Sequence, residues 1–148
     1  MSSFSIINPY TNKIIESRTN ESLSEIENKL KRLNEGFQEW RFEPMEYRKT
    51  IINRLSNALN KNKDSIASVI SSDMGKPITQ AKKEVEKCIQ CCNHFIKIAP
   101  KIEARLTEEM GLREPLGIIL GIMPWNFPLW QIIRYMIPCW ITGNTCLV

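Results

Sequence analysis

The segment best suited to chemistry in this sequence is Pro124-Trp125-Asn126-Phe127-Pro128. Two prolines restrict the backbone on either side of an asparagine. Held this way, the Asn126 amide can present an N–H to an oxygen that gains negative charge during a reaction. The same residues also describe a rigid strand-to-helix turn with an asparagine cap, since asparagine is common at helix starts. On residue type and spacing alone the two readings stand level.

Five cysteines offer other chemistry. Cys88, Cys91, Cys92 and His94 crowd together like metal ligands. A tetrahedral zinc site needs a second ligand pair elsewhere, and His94 is the single histidine of the chain. Cys88 and Cys92 fall on an apolar helical stripe, so buried structural thiols are the favoured reading and no metal is expected. Cys139 and Cys146 have no His or Asp close in sequence and are not read as nucleophiles. Glu84 and Glu86 read as charged-face residues of a helix, with no paired acid–base constellation. Trp40, Trp130 and Trp140 read as packing residues.

These groups need elements to position them. Phe4–Ile7 and Lys13–Glu16 lean toward strands, and Asn8 to Asn12 between them has turn chemistry, so a hairpin is expected. Ser22-Leu23-Ser24-Glu25 is a capping box, followed by Leu23, Ile26, Leu30, Leu33, Phe37 and Trp40 at helical spacing. A second helix follows Pro44, with Ile51, Ile52, Leu55 and Leu59 inward. A third runs from about Asn62 to Met74, with Gly75 placed to end it. Pro77 opens a fourth, whose stripe is Ala81, Val85, Cys88, Cys92 and Ile96, and Pro100 is expected to stop it. Arg105 and Met110 to Glu114 read as an extended connector or edge strand.

Gly117 to Met123 is a nearly continuous apolar run, as in a strand covered on both faces in a parallel sheet. Pro128 to Ile141 reads as a helix interrupted or kinked near Pro138. Gly143-Asn144 makes a turn, and Thr145 to Val148 opens another strand. Strand, helix, strand is a βαβ unit, and in such sheets ligands bind at the carboxyl ends of the strands. The expected fold class is α/β: helices leading into a doubly wound, Rossmann-like sheet. Two strands do not complete such a sheet, so the chain reads as part of a domain. Its expected division is a hairpin and helical region over about 1–100 and the start of the dinucleotide-binding sheet over about 101–148.

Bulk properties narrow the function. With 20 basic and 16 acidic residues the formal charge is +4, but the signs alternate along Glu25–Arg32 and Lys82–Lys87. Interleaved charge describes solvated helix faces and not a nucleic-acid surface. Met1 to Ser5 carry no basic-then-apolar pattern, so no secretory leader is expected. The longest apolar-rich stretch, Leu116 to Ile133, holds two glycines and two prolines, so no membrane span is expected. An odd cysteine count without a leader points to reduced thiols. The expected location is therefore intracellular, in cytoplasm or a mitochondrial matrix.

The block around Asn126 resembles the PWNFP signature of the aldehyde dehydrogenase superfamily. Glu114-Pro115-Leu116-Gly117 is similar to that family's EPLG lead-in, and Pro138 with Gly143-Asn144-Thr145 to its P-x-x-x-x-G-N-T run. Asp73-Met74-Gly75-Lys76-Pro77 matches the E-x-G-K-P element with Asp in place of Glu. Asn8-Pro9-Tyr10-Thr11 resembles the usual opening. The matches run in order along essentially all 148 residues, and among family members they most resemble succinate-semialdehyde dehydrogenases.

The resemblance implies oxidation of an aldehyde to the acid with NAD or NADP, neither covalently bound. It places Asn126 as the oxyanion-hole amide. It places Ile122, Met123, Pro124 and Trp125 along the dinucleotide, largely through their backbone. Arg134, eight residues after Asn126 and about two helical turns on, matches the arginine that clamps the far carboxylate of succinate semialdehyde. Homo-oligomers are usual in the family. The residues that resemble its nucleophile loop and nucleotide helix are not in this sequence, so the 148-residue chain by itself is expected to be inactive and marginally folded over residues 102–148. The alternative is a non-catalytic truncated product or a fragment that binds subunits.

Overall fold

A computed structural model describes residues 3–108 and 113–148. The chain opens with an antiparallel hairpin, β1 (Ser3–Ile7) and β2 (Ile14–Thr19), pairing Ser3 with Thr19 and Ile7 with Ile14. The Asn8 side chain accepts the backbone N–H groups of Tyr10 and Thr11 at 2.9 and 3.0 Å, as expected of an asparagine-initiated turn. Four helices follow: α1 (Leu23–Trp40), α2 (Met45–Lys61), α3 (Lys63–Met74) and α4 (Ile78–Glu108). Then come β3 (Ile118–Leu120), α5 (Pro128–Ile141) and β4 (Thr145–Leu147).

The local signals act where the residues place them. Ser22 and Glu25 form the capping box of α1, each side chain taking the other's backbone N–H. Gly75 ends α3 in the left-handed conformation at φ 68°, which costs glycine little. Pro77 stands one residue before α4, its carbonyl accepting from Gln80 and Ala81.

Helix α4 is the centre of the molecule. Helices α2, α3 and α5 all pack on it. The core joins Ile52 and Leu59 of α2, Ala67 and Ile70 of α3, Ala81, Val85, Cys88, Cys92 and Ala99 of α4, and Ile133, Ile137 and Ile141 of α5.

Three expectations need correction. Pro100 does not stop α4, which continues to Glu108. Pro100 is exposed, while Ala99 is fully buried and Ile102 packs on the core. Burial on the next turn outweighs the hydrogen bond that proline removes. Arg105 is therefore helical; of the expected connector, residues 110–112 lie outside the described residues, while Arg113 and Glu114 form neither helix nor strand. Likewise α5 is not interrupted at Pro138, because Ile133, Ile137 and Ile141 hold one continuous face against the core.

The third correction concerns coverage. β3 and β4 pair in parallel, Ile118 with Thr145 and Leu120 with Leu147, and α5 joins them as the expected βαβ unit. The strand is shorter than its apolar run, and it is not covered on both faces: Leu120 is 62% exposed. The α1 stripe is likewise buried only toward its carboxyl end, at Phe37, with Leu23 exposed.

Candidate active site

Beyond Leu120 the chain runs through residues 121–124, turns at Trp125-Asn126 and enters α5 at Pro128. Two contacts fix this path on the sheet side. The Gly121 N–H donates to the Leu147 carbonyl at 2.8 Å, and the Tyr135 hydroxyl donates to the carbonyl of Ile119. Asn144 secures the start of β3, its Oδ1 accepting the Gly117 N–H at 3.1 Å.

The start of α5 is held by residues distant in sequence. Its cap residue is Phe127, with no side-chain cap bond of its own. The first N–H groups of a helix lack intrahelical partners. Glu84 of α4 supplies one: its Oε1 accepts from Leu129 N at 3.1 Å and Trp130 N at 3.0 Å. Its Oε2 pairs with the Lys76 ammonium. Lys76 also donates to the Asn126 carbonyl at 3.4 Å and lies 3.9 Å from the centre of the Phe127 ring.

Glu84 is thus not a charged-face residue. It is 4% exposed, on the same side of α4 as Ala81, Val85 and Cys88. A carboxylate there tolerates burial because a cation and two amides meet it. The sequence carried the signal: position 84 falls within the apolar stripe and not opposite it. Glu86 is exposed and pairs with Lys63 at 3.1 Å.

This arrangement bears on one part of the turn reading, the capping asparagine. The helix cap comes from Glu84, so Asn126 is not a capping asparagine. Its side chain is exposed at the turn. Ile122 and Trp125 are 89% and 80% exposed, Pro124 is exposed and Met123 half-buried. These four form the route from the strand end to the helix start.

Arg134 is exposed on α5, one helical turn past Trp130, and makes no ion pair among the described residues. Asn126 precedes the helix, so the two-turn count from Asn126 to Arg134 does not hold as uniform helix. Arg134 lies about 9 Å along the axis from Pro128 at the usual helical rise.

A family model described as the aldehyde dehydrogenase family matches residues 1–148. The chain belongs to that family. It is 36% identical over 148 residues to the succinate semialdehyde dehydrogenase [NAD(P)+] Sad of Escherichia coli K12, covering 96% of this chain and 32% of that protein. It is 32% identical over 151 residues to a succinate-semialdehyde dehydrogenase [NADP(+)] of Deinococcus radiodurans, covering 98% of this chain and 32% of the relative. The fold superposes on a succinic semialdehyde dehydrogenase of Streptococcus pyogenes in complex with NADP+, with TM-score 0.85 and 29% identity over 97% of this chain and 33% of that one. The chain spans about a third of the length of the curated relatives it matches.

Within this family segment the cysteines are packing groups. Cys88 and Cys92 are fully buried, and burial pushes their thiols up to about 12 and about 11. His94 is exposed, so it does not converge with them. Burial also raises Cys91 and Cys139, and carries Cys146 to about 12. A nucleophilic thiolate needs the opposite shift. Trp40 and Trp140 pack edge to face with centres 6.4 Å apart, and Trp40 Nε1 donates to the Trp140 carbonyl at 3.1 Å. Trp130 lies under the Lys87 ammonium, 4.2 Å from its ring centre. No helix among the described residues is long and apolar enough to cross a membrane.

Proposed function

We propose that residues 1–148 supply the amino-terminal third of an NAD(P)-dependent aldehyde dehydrogenase acting on succinate semialdehyde or a closely similar acid semialdehyde. The carrying observation is Asn126. It stands at the carboxyl end of a parallel strand, in a turn whose helix is capped by another residue, with its own amide exposed.

In this reading the Asn126 N–H2 donates to the aldehyde-derived oxygen as negative charge builds on it. A preorganised amide does this without reorienting, which is where such donors gain their effect. Ile122, Met123, Pro124 and Trp125 form the surface that holds NAD or NADP, and the nucleotide when bound accepts hydride. Arg134 offers its unpaired guanidinium to the distal carboxylate, in the forked geometry that suits such a group. In this reading none of the five cysteines stands at a position resembling the family's nucleophile, which the rest of the enzyme supplies, and the 148-residue chain alone turns nothing over. Residues up to about 100 brace the sheet that begins after them. An intracellular homo-oligomer completes the proposal.

Arg134→Leu in the complete enzyme tests the substrate assignment. A charge-assisted bond of about 1.5–3 kcal/mol corresponds to a loss of roughly 10- to 150-fold in kcat/KM for succinate semialdehyde. An uncharged aldehyde should be nearly unaffected. An unchanged ratio between the two substrates would refute the clamp, and no NAD(P)H formation with either would refute the activity.

A further inference from the structure

The buried ion pair Lys76–Glu84 sits beneath the turn that carries Asn126, and it does more than neutralise two charges. Glu84 is only 1% exposed at its side chain and Lys76 12%. A pair this deep is seldom a net source of stability, because removing both charges from water costs about as much as their attraction returns. Its partners are informative. Between them the two side chains contact the carbonyl of Asn126, the ring of Phe127 and the N–H groups of Leu129 and Trp130. They therefore grip the residues on the helical side of Asn126, from α4 and the link before it, about forty to fifty positions away in sequence.

A helix start is ordinarily capped by its own side chain, which leaves the turn free to shift with the helix end. Here the cap comes from α4, the central helix. The α5 amides are fixed to the core through Glu84 Oε1. The turn carbonyl is fixed to the same carboxylate through Lys76.

We propose that Lys76 and Glu84 are positioning residues for Asn126, holding its backbone so that the side-chain amide meets the reacting oxygen without reorganisation. This inference rests on the oxyanion role given to Asn126 above. Neither residue touches substrate. Their effect reaches the reaction only through the turn, so it should disappear when the Asn126 amide is gone.

The test is a double-mutant cycle in the complete dehydrogenase. Glu84→Gln and Lys76→Met are each expected to lower kcat by about tenfold, with KM for the nucleotide changed less than about twofold. In an Asn126→Ala background the same substitutions should change kcat by less than about twofold. Equal losses with and without Asn126 would overturn the positioning role in favour of general stability. Amide exchange at Leu129 and Trp130 provides a second readout that does not depend on activity. Glu84→Ala should accelerate it, and unchanged exchange would show that the pair does not grip the turn. If Asn126→Ala leaves kcat intact, the oxyanion reading fails and this role fails with it. The exchange result distinguishes that failure from a misplaced pair.

Discussion

The Arg48 guanidinium fills the space that a side chain on Gly143 would need, its Nη2 lying 2.8 Å from where a Cβ would stand. Gly143 has φ 86°, a conformation L side chains rarely adopt. Arg48 uses the room to donate to the carbonyls of Trp40 at 3.3 Å, Arg41 at 2.9 Å and Ile141 at 3.1 Å. Those carbonyls end α1 and α5, so one buried cation closes two helices. Gly143→Ala should destabilise the fold by about 1–3 kcal/mol through backbone strain and displacement of the guanidinium. Arg48→Met, which orphans the carbonyls of Arg41 and Ile141, should cost about 2–3 kcal/mol. Urea unfolding followed by tryptophan fluorescence measures both, and the double variant should lose less than the sum because both act on one contact.

The buried thiols predict a pH dependence. Cys88 and Cys146 are raised from 9.0 to about 12, and Cys92 to about 11, with desolvation the largest cause in each. Between pH 9.0 and about 12 the unfolded chain has released protons that the folded chain retains. Stability must then fall as pH rises, while below the unfolded value the thiol contribution is constant. Unfolding free energy measured across this range should decline less steeply in the Cys88→Ala/Cys92→Ala variant. At about pH 8 a thiol reagent should reach half-buried Cys91 well before Cys88 or Cys92. Equal labelling rates would contradict their burial.

Much of the fold was legible because it rests on local rules. Ser22 with Glu25, Asn8, Gly75 and the stripe from Ala81 to Cys92 each act on near neighbours, and each stands where its residue type indicates. Pro100, and the interruption expected at Pro138, misled because the proline penalty is local, whereas the burial of Ala99, Ile102, Ile137 and Ile141 is tertiary. Glu84 and Arg48 were missed for a related reason. A charged residue within an apolar stripe reads as an imperfection until its partners, 45 and 93 positions away, come into view. For Asn126 the sequence supplied the residue and the turn. What it left open, whether the asparagine caps its own helix, was decided by Glu84.

Exposure should grade the stability of the 148-residue chain. Leu116, Leu120, Ile122 and Trp125 are 89%, 62%, 89% and 80% exposed, while Ile52, Val85 and Cys88 are fully buried. Segments with few buried apolar contacts open at lower free energy than the core. Amide exchange in this chain should therefore release β3 and β4 well before the α2–α4 interface, and a dye that binds apolar surface should bind the native chain. Uniform protection across both regions would mean that the short sheet is held by more than the contacts described.

Asn126 itself gives the sharpest kinetic prediction. In the complete enzyme Asn126→Ala removes one donor to the developing oxyanion, and donors of that kind are worth about 10²–10³ in kcat. The loss should fall on kcat and kcat/KM together, because the bond strengthens only as charge develops. Asn126→Asp is the more telling variant. It preserves size and turn geometry but replaces a donor with an anion facing an anion, so it should be at least as damaging as alanine. If Asn126→Asp retained most of the activity while Asn126→Ala lost it, the residue would be acting through the shape of the turn and not through its amide.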